Sequence, residues 1–212
     1  NKTIINASAT TGPGIFAALG AIGSTVASEI DASGSSSAVI LDSGNTEEST
    51  LKGGTGDDQI FSDRSNNLLT GGSGDDCFLF RYNYDGGGFI YAPPSVITDL
   101  SIGDSVAIQR WGSGIYDEDL YLHSAVTTDP TYQDISFQDG KRDAFVYSDG
   151  TTNYLVYEYT DSVPGQPGPL RKIDIGASIP GSVSAWTVDL NQGGLLSFGD
   201  AADVAYDVIR IK

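Results

Sequence analysis

The sequence predicts an all-β protein in which a short stack of parallel strands is followed by an antiparallel β region. Three observations carry this prediction: a composition rich in turn-forming residues, a nine-residue apolar period in the first half, and hairpin-like segments in the second. Of the 212 residues 27 are glycine, and 23 of the 28 acidic residues are aspartate. Glycine and aspartate favour turns and weaken helix and strand interiors, so many short strands are expected.

The net charge of −17 argues against a protein that binds nucleic acid, because phosphates require a basic surface. No run of apolar residues approaches the roughly 18 needed for a membrane-spanning helix. Cys77 is the only cysteine, so no disulfide can form within the chain. A fold that works outside the cell would therefore need another source of stability.

The first fifty residues are small and polar, with isolated apolar residues between them. Four apolar residues follow one another at the spacing of one helix face: Ile15, Leu19, Ile22 and Val26. Pro13, which suits the first turn of a helix, precedes them. This spacing predicts a short helix that caps the N-terminal end of the stack.

A regular spacing of apolar residues begins near residue 30. Its centres are Ile30, Ile40, Leu51, Ile60, Leu69 and Phe78, and the last four follow a nine-residue period. A strand and a turn in every such unit are typical of a solenoid, in which consecutive coils stack. Residues 1–94 are therefore assigned to a β-roll of degenerate and regular repeats.

The second half, residues 95–212, is assigned to an antiparallel β region that closes the open end of the roll. Closure is needed because a bare end exposes strand edges and apolar surface. The clearest feature is Asp149-Gly150, a turn dipeptide between the strand-like segments 143–148 and 153–160. Further candidate strands are 96–100, 106–111, 120–126, 134–138, 170–175, 185–190 and 204–211.

Two nonapeptides match the pattern G-G-x-G-x-D-x-U-x, where U is a large apolar residue. They are Gly53–Phe61 and Gly71–Leu79, and residues 62–70 fill one degenerate unit between them. If two units complete one coil, the two glycine-rich turns lie on the same side of the roll and stack directly.

A cation between these stacked turns would have the bond lengths of calcium. Neighbouring coils of a parallel stack lie about 4.8 Å apart, so an ion midway between them is about 2.4 Å from each, within the range of Ca–O bonds. The predicted ligands are the carboxylates of Asp58 and Asp76 together with backbone oxygens of Gly53, Thr55, Gly72 and Gly74. On the opposite side, 62–67 lacks the glycines and has Asn67 in place of aspartate, so one strong site is expected.

These repeats resemble the calcium-binding region of RTX (repeats-in-toxin) proteins, whose fold is the β-roll. RTX regions commonly end in D-x-F-x-F and, after an insert, I-x-D-F-x-x-G-D. Residues 76–80 and 97–104 occupy those places, and Asp99 and Asp104 fall at the acidic positions. They are weaker candidates for a further ion, since Ser95 stands where the family often has an aspartate. The resemblance covers residues 30–105, and its specific part is 53–80.

The resemblance implies a calcium-binding structural module that is exported by type I secretion and folds when it meets Ca²⁺ outside the cell. The earlier repeats look like those preceding RTX units in some bacterial surface-layer proteins, so the leading hypothesis is part of a surface-layer or adhesin-like protein. Its partners would be calcium, a cell-surface glycan or further copies of the chain. One alternative is the C-terminal folding and secretion region of a secreted hydrolase whose catalytic domain lies before Asn1.

A second alternative, from another class, is a carbohydrate-binding module. Trp111, Tyr116 and Trp186 could form a platform on which a sugar ring stacks, although packing in a core or interface is the preferred interpretation. No catalytic site is expected within the chain, because neither G-x-S-x-G nor H-E-x-x-H occurs. The only histidine, His123, is assigned a structural role, and Cys77 is expected to be buried outside the roll interior.

Overall fold

The chain folds into two β-sheets, as seen in a computed structural model. The structure describes residues 4–6, 15–18, 28–44, 48–62, 66–81, 93–110, 119–137, 140–158, 170–192 and 205–212. The strands in these ranges are β1 (Ile4–Asn6), β2 (Ile15–Ala18), β3 (Glu29–Asp31), β4 (Val39–Asp42), β5 (Thr50–Lys52), β6 (Gln59–Ser62), β7 (Leu68–Thr70), β8 (Cys77–Phe80), β9 (Ser95–Ile97), β10 (Ser105–Gln109), β11 (Leu120–Thr127), β12 (Arg142–Ser148), β13 (Asn153–Glu158), β14 (Leu170–Gly176), β15 (Thr187–Gln192) and β16 (Tyr206–Arg210). A single 3₁₀ turn, Val183–Ala185, is the helical element of the described residues.

The first ten strands alternate between the two sheets, which is the arrangement of a β-roll. The sheet orders are β1-β3-β5-β7-β9-β14-β13-β12-β11 and β15-β16-β10-β8-β6-β4-β2. Within the roll the strands pair in parallel: Thr50 pairs with Leu68, and Gln59 pairs with Cys77. Each partner lies two repeat units further along the chain, so two nine-residue units complete one coil. The predicted all-β fold with a short parallel roll is confirmed.

Apolar residues from the two sheets meet inside the roll. One ladder is Ile30, Leu51, Leu69 and Ile97, the facing ladder is Leu41, Ile60, Phe78 and Val106, and all eight side chains are fully buried. Ile40, a predicted centre, packs instead beside Phe61 and Leu79 on the outer face of its sheet. The prediction of Ile40 is wrong by one position, because the register pairs its neighbour Leu41 with Ile60.

The prediction of an N-terminal helix is wrong for residues 15–18, the part of that segment that the structure describes. Ile15–Ala18 is a strand that pairs in parallel with Val39–Asp42. Pairing with β4 satisfies its backbone groups, whereas a short helix interrupted by Gly20 and Gly23 is only marginally stable. Residues 19–27, which include the other three apolar positions of the predicted helix, lie outside the described residues.

The last six strands continue both sheets beyond the roll. β16 pairs antiparallel with β10 and β15, and β12, β13 and β14 form an antiparallel run. The predicted hairpin is confirmed, since Ser148 pairs with Asn153 across Asp149-Gly150. Three details differ from prediction: β9 and β10 belong to the parallel roll, β11 is parallel to β12, and residues 134–137 form a loop rather than a strand.

The nine-residue period ends after Phe80. For this reason the sequence alone predicts that the segments 96–100 and 106–111 belong to the antiparallel region. In the structure the last coil is longer than the others, and Cys77 pairs with Ser105 rather than with a residue two units further on. A longer excursion between strands leaves the register of the sheet intact while it hides the period in the sequence. The parallel β11–β12 pair was missed because neighbouring strands with a short connection are usually antiparallel.

Candidate metal site

The two glycine-rich turns lie directly on one another. The N–H of Ser73 donates to the carbonyl of Gly54 (3.0 Å), and the N–H of Cys77 donates to the carbonyl of Asp58 (2.8 Å). Gly72 has φ 108°, a conformation that side chains rarely adopt, and a Cβ there would collide with the Gly54 carbonyl. Glycine is therefore required by the close approach of the two turns.

The other predicted backbone ligands lie in the same stack. A Cβ on Gly53 would collide with the Asp58 carboxylate and with the carbonyl of Gly71, so oxygen atoms close over this glycine. Gly74 lies against the carbonyl of Gly56. Thr55 is exposed, and its N–H donates to the carbonyl of Ser35 in the preceding coil (2.9 Å). The structure thus brings all six predicted ligands into one pair of stacked turns.

Three aspartates form a continuous ladder through these turns, here called the aspartate column: Asp58, Asp76 and Asp104. Each carboxylate accepts a hydrogen bond from a backbone N–H one coil earlier. Asp58 accepts from Val39 (2.8 Å), Asp76 from Asp58 (2.9 Å) and Asp104 from Asp76 (2.9 Å). All three side chains are buried, with residue exposures of 1%, 2% and 2%. Asp104, predicted as a weaker ligand, is therefore a full member of the column.

The negative charge of the column is not offset by any cationic side chain in the described part of the chain. None of the ion pairs among those residues includes a member of the column. Burial raises the pKa of Asp76 to about 7, and the carboxylates of Asp58, Asp104 and Asp99 add to this effect. Burial also raises the pKa of Asp58 and of Asp104. Buried charge without a partner destabilises the ionised form.

Asp99, the other weaker candidate, lies at the end of the glycine turns rather than in the column. Its two carboxylate oxygens accept hydrogen bonds from the N–H groups of Gly71 (3.0 Å) and Gly72 (2.8 Å). This forked contact closes the last glycine-rich turn. Both acceptor atoms of Asp99 hold this turn, as both acceptor atoms of Asp58 are held by the N–H groups of Val39 and Gly54.

The opposite side of the roll carries a ladder of the same geometry without charge, here called the neutral column: Ser49, Asn67 and Ser95. Asn67 accepts from the N–H of Ser49 (2.9 Å), and the hydroxyl of Ser95 accepts from the N–H of Asn67 (3.3 Å). All three residues are buried. Asn67 also donates to the hydroxyl of Ser62 (3.0 Å). Sequence reasoning found Asn67 only as a missing ligand and overlooked this ladder.

The chemistry of the aspartate column fits a hard cation such as calcium. Its donor atoms are all oxygens, its carboxylates lack a positive partner among the described residues, and Asp76 has one carboxylate oxygen that accepts no hydrogen bond from them. The described residues contain no group of three or more His, Cys, Asp or Glu side chains placed to hold a metal. Backbone carbonyls of the glycine turns would therefore have to complete the coordination, as calcium sites allow.

Outside this site the structure gives His123 and Cys77 packing roles. His123 Nε2 lies 2.6 Å from Asp143 Oδ1 and its ring packs edge-on against Tyr121. Cys77 packs beside Phe61 and Leu79 outside the roll interior, and burial raises the pKa of its thiol to about 11.

The aromatic platform considered for sugar binding is not supported at Trp186. This side chain is buried in the core, and its indole N–H donates to the carbonyl of Pro180 (3.1 Å). Trp111 and Tyr116 lie outside the described residues. In the described part of the chain no helix is long and apolar enough to cross a membrane.

No protein-family model matches the chain, and neither a curated protein nor a solved structure shows significant similarity to it.

Proposed function

We propose that this chain is a calcium-stabilised structural module of an extracellular protein, in which the aspartate column binds the ion. The single observation that carries the proposal is the contrast between the two columns. The neutral column makes the same inter-coil hydrogen bonds with Ser49, Asn67 and Ser95. The inter-coil hydrogen bonds therefore do not require charge. The second carboxylate oxygens of Asp58 and Asp104 accept the N–H groups of Gly54 and Ser101, whereas the second oxygen of Asp76 accepts none from the described residues.

A divalent cation would explain the charge. Buried carboxylates become favourable when they pair with a cation, and calcium accepts carboxylate and carbonyl oxygens together in flexible geometry. In the proposed role Asp58 and Asp76 supply the negative charge, Gly53 and Gly72 allow the turns to approach, and Asp104 ends the column. Magnesium fits less well, because it needs shorter bonds and retains its water.

The consequence would be a fold whose stability depends on its surroundings. An ion that binds only the folded chain stabilises it by mass action, by about 1.4 kcal/mol when its concentration is ten times the dissociation constant. Affinities of extracellular calcium modules, about 10⁻⁴–10⁻³ M, would leave the site empty in a calcium-poor cytosol and filled outside. This behaviour suits the secreted surface-layer or adhesin-like protein, or secreted hydrolase region, that the RTX resemblance implies.

The proposal is tested by thermal melts in EDTA and in millimolar calcium for the wild type, Asp76→Asn and Asp75→Asn. Asparagine keeps the acceptor for the Asp58 N–H but removes the buried charge. Asp75 is the exposed neighbour in the same turn, so its variant is matched in charge change. For the wild type and Asp75→Asn we expect calcium to raise Tm by roughly 3–6 °C when it is at ten times Kd.

In Asp76→Asn the calcium response should be absent. Equal melting temperatures of the wild type in EDTA and in calcium would contradict the proposal. So would a calcium response of Asp76→Asn equal to that of the wild type. A magnesium series at the same concentrations should give a smaller shift than calcium.

A further inference from the structure

We propose that the C-terminal segment 205–212, here called the strap, docks in a manner thermodynamically coupled to ion binding in the aspartate column. This inference rests on the function proposed above and extends it from the roll to the far end of the chain. Three features support the inference. The strap contacts Asp104 directly, it carries a buried charge, and it contains β16, which lies between the roll and β15 in its sheet.

The strap is hydrogen bonded to the last residue of the aspartate column. The N–H of Ile211 donates to the backbone carbonyl of Asp104 (3.0 Å), and the N–H of Gly103 donates to the carbonyl of Ile211 (3.1 Å). The carboxylate of the same Asp104 accepts from the N–H groups of Asp76 and Ser101. One residue therefore connects the inside of the column with the C-terminal strap.

Asp207, at the second position of β16, is fully buried between two arginines. Its carboxylate pairs with Arg110 (Nη1–Oδ1 3.0 Å) and with Arg142, whose other Nη donates to the carbonyl of Gln109 (3.3 Å). Arg110 follows β10 in one sheet and Arg142 begins β12 in the other. The strap thus supplies the anion that joins the two sheets, and its departure would leave two buried guanidinium groups without that carboxylate.

The topology makes β16 the strand on which the closing region depends. It pairs with β10 along its whole length, from Ser105↔Arg210 to Gln109↔Tyr206, and β15 belongs to its sheet through β16. In the other sheet the junction between the roll and the closing strands is the shorter β9–β14 pair, Ile173↔Ser95 and Asp174↔Val96. The strap is therefore the larger of the two described connections between the roll and the rest of the molecule.

These contacts predict reciprocal coupling. An ion bound by Asp58 and Asp76 would fix the Asp76 N–H that Asp104 accepts, and through Asp104 the edge on which Ile211 docks. A docked strap would in turn hold Asp104, and with it the backbone of Asp76, in place for the ion. Such a coupling is symmetric by necessity, because each event changes the free energy of the other by the same amount. Loosening the strap should therefore weaken calcium binding at a site to which the strap contributes no ligand.

The test is hydrogen exchange of the full chain across a calcium series, with the strap and the turn segment 71–80 followed separately. The variant is Asp207→Asn, and its matched control is Asp189→Asn, which removes the exposed partner of Arg210 on the same strand. For Asp207→Asn we expect faster exchange in the strap and a calcium midpoint for 71–80 that is about tenfold higher than in the wild type. Asp189→Asn should leave the midpoint unchanged.

A second pair of variants covers the case in which Asp207→Asn does not fold. Ile211→Pro removes the N–H that donates to Asp104, whereas Ile211→Ala keeps it and loses only side-chain packing. The calcium midpoint should rise further in the proline variant than in the alanine variant. A loosened strap with a wild-type midpoint, or equal midpoints for these two variants, would overturn the coupling while leaving the calcium site intact. Loss of any calcium effect in the wild type would instead overturn the proposed function.

Discussion

The aspartate column and the neutral column perform the same structural task with different chemistry. In both, a buried side chain accepts the N–H of the equivalent residue one coil earlier, as Asp76 does from Asp58 and Asn67 does from Ser49. In both, the next step crosses the longer last coil, to Asp104 and to Ser95. Stacking of the coils thus requires an acceptor but does not require charge. The difference teaches that the stacking of the coils does not by itself account for three buried carboxylates.

The largest effect is expected for Asp76→Ala compared with Asn67→Ala. Each substitution leaves a buried backbone N–H without its acceptor, which costs about 1–3 kcal/mol of unfolding free energy. Urea unfolding in EDTA should show a loss of this size for Asn67→Ala and a smaller loss for Asp76→Ala, because the second substitution also removes a buried charge that has no partner. In calcium the Asp76→Ala variant should fall further below the wild type, because it alone lacks the ion. An equal deficit of the two variants in calcium would show that the columns are equivalent.

A carboxylate placed in the neutral column should lower the unfolding free energy in EDTA, as the unpaired carboxylates of the aspartate column do. Asn67→Asp keeps an acceptor for Ser49 but buries a charge and loses the hydrogen bond to Ser62, so we expect a loss of about 1–3 kcal/mol at pH 8 in EDTA. Asn66→Asp, the same change at the exposed neighbour, is the control and should cost less. Unchanged stability of Asn67→Asp would mean that the neutral side already tolerates charge.

The pH dependence of stability should also separate the columns. Because the pKa of Asp76 is raised to about 7 in the folded chain from 3.8, the folded state binds protons more tightly than the unfolded state. The stabilising effect of that proton is present at low pH and is lost as the pH rises through about 7. In EDTA, Tm should therefore rise as the pH falls from 8 to 5.

Two comparisons isolate this effect from general charge repulsion. The slope of Tm against pH should be shallower in Asp76→Asn, which has no proton to gain at that position, and shallower in saturating calcium, where the ion replaces the proton. Identical slopes for the wild type and Asp76→Asn in EDTA would show that the titration lies elsewhere.

The smallest expected effect is that of calcium on the alkylation rate of Cys77. This residue directly follows Asp76, so its reactivity reports on opening of the charged turn. Burial raises the pKa of this thiol to about 11, so alkylation at pH 8 should be slow in the folded chain. Labelling with iodoacetamide should be slower in calcium than in EDTA, because an ion-bound turn opens less often. Equal rates in the two conditions would indicate that the turn opens independently of the ion.

The repeat could be predicted from sequence because each turn is encoded locally. The glycine and aspartate positions recur in 53–58 and in 71–76, and this spacing predicts the length of one coil. The stacking of Asp58 on Asp76 follows from that length. Asp104 could be placed only weakly, because a longer excursion precedes it and shifts it from the regular period. The neutral column left no recognisable pattern, since serine and asparagine are common in any turn-rich chain.

The closing region was less predictable for a different reason. Arg110, Arg142 and Asp207 meet in the core although Arg110 and Asp207 are 97 residues apart in sequence. No local propensity or period connects such residues, so only the fold reveals that they pair. The helix predicted to begin at Ile15 was wrong for a similar reason. The spacing of its apolar residues is helical, but pairing with a neighbouring strand determines the structure of 15–18.

The register of two repeat units per coil also sets a rule for how this molecule can change in length. A duplication of two units within 53–80 would insert a whole coil, lengthen both interior ladders and extend the acidic side by one more rung. A duplication of a single unit would move every later turn to the other side and place glycine and aspartate over asparagine and serine. Insertion of a whole coil should therefore preserve the stability of the roll, whereas insertion of half a coil should destabilise it.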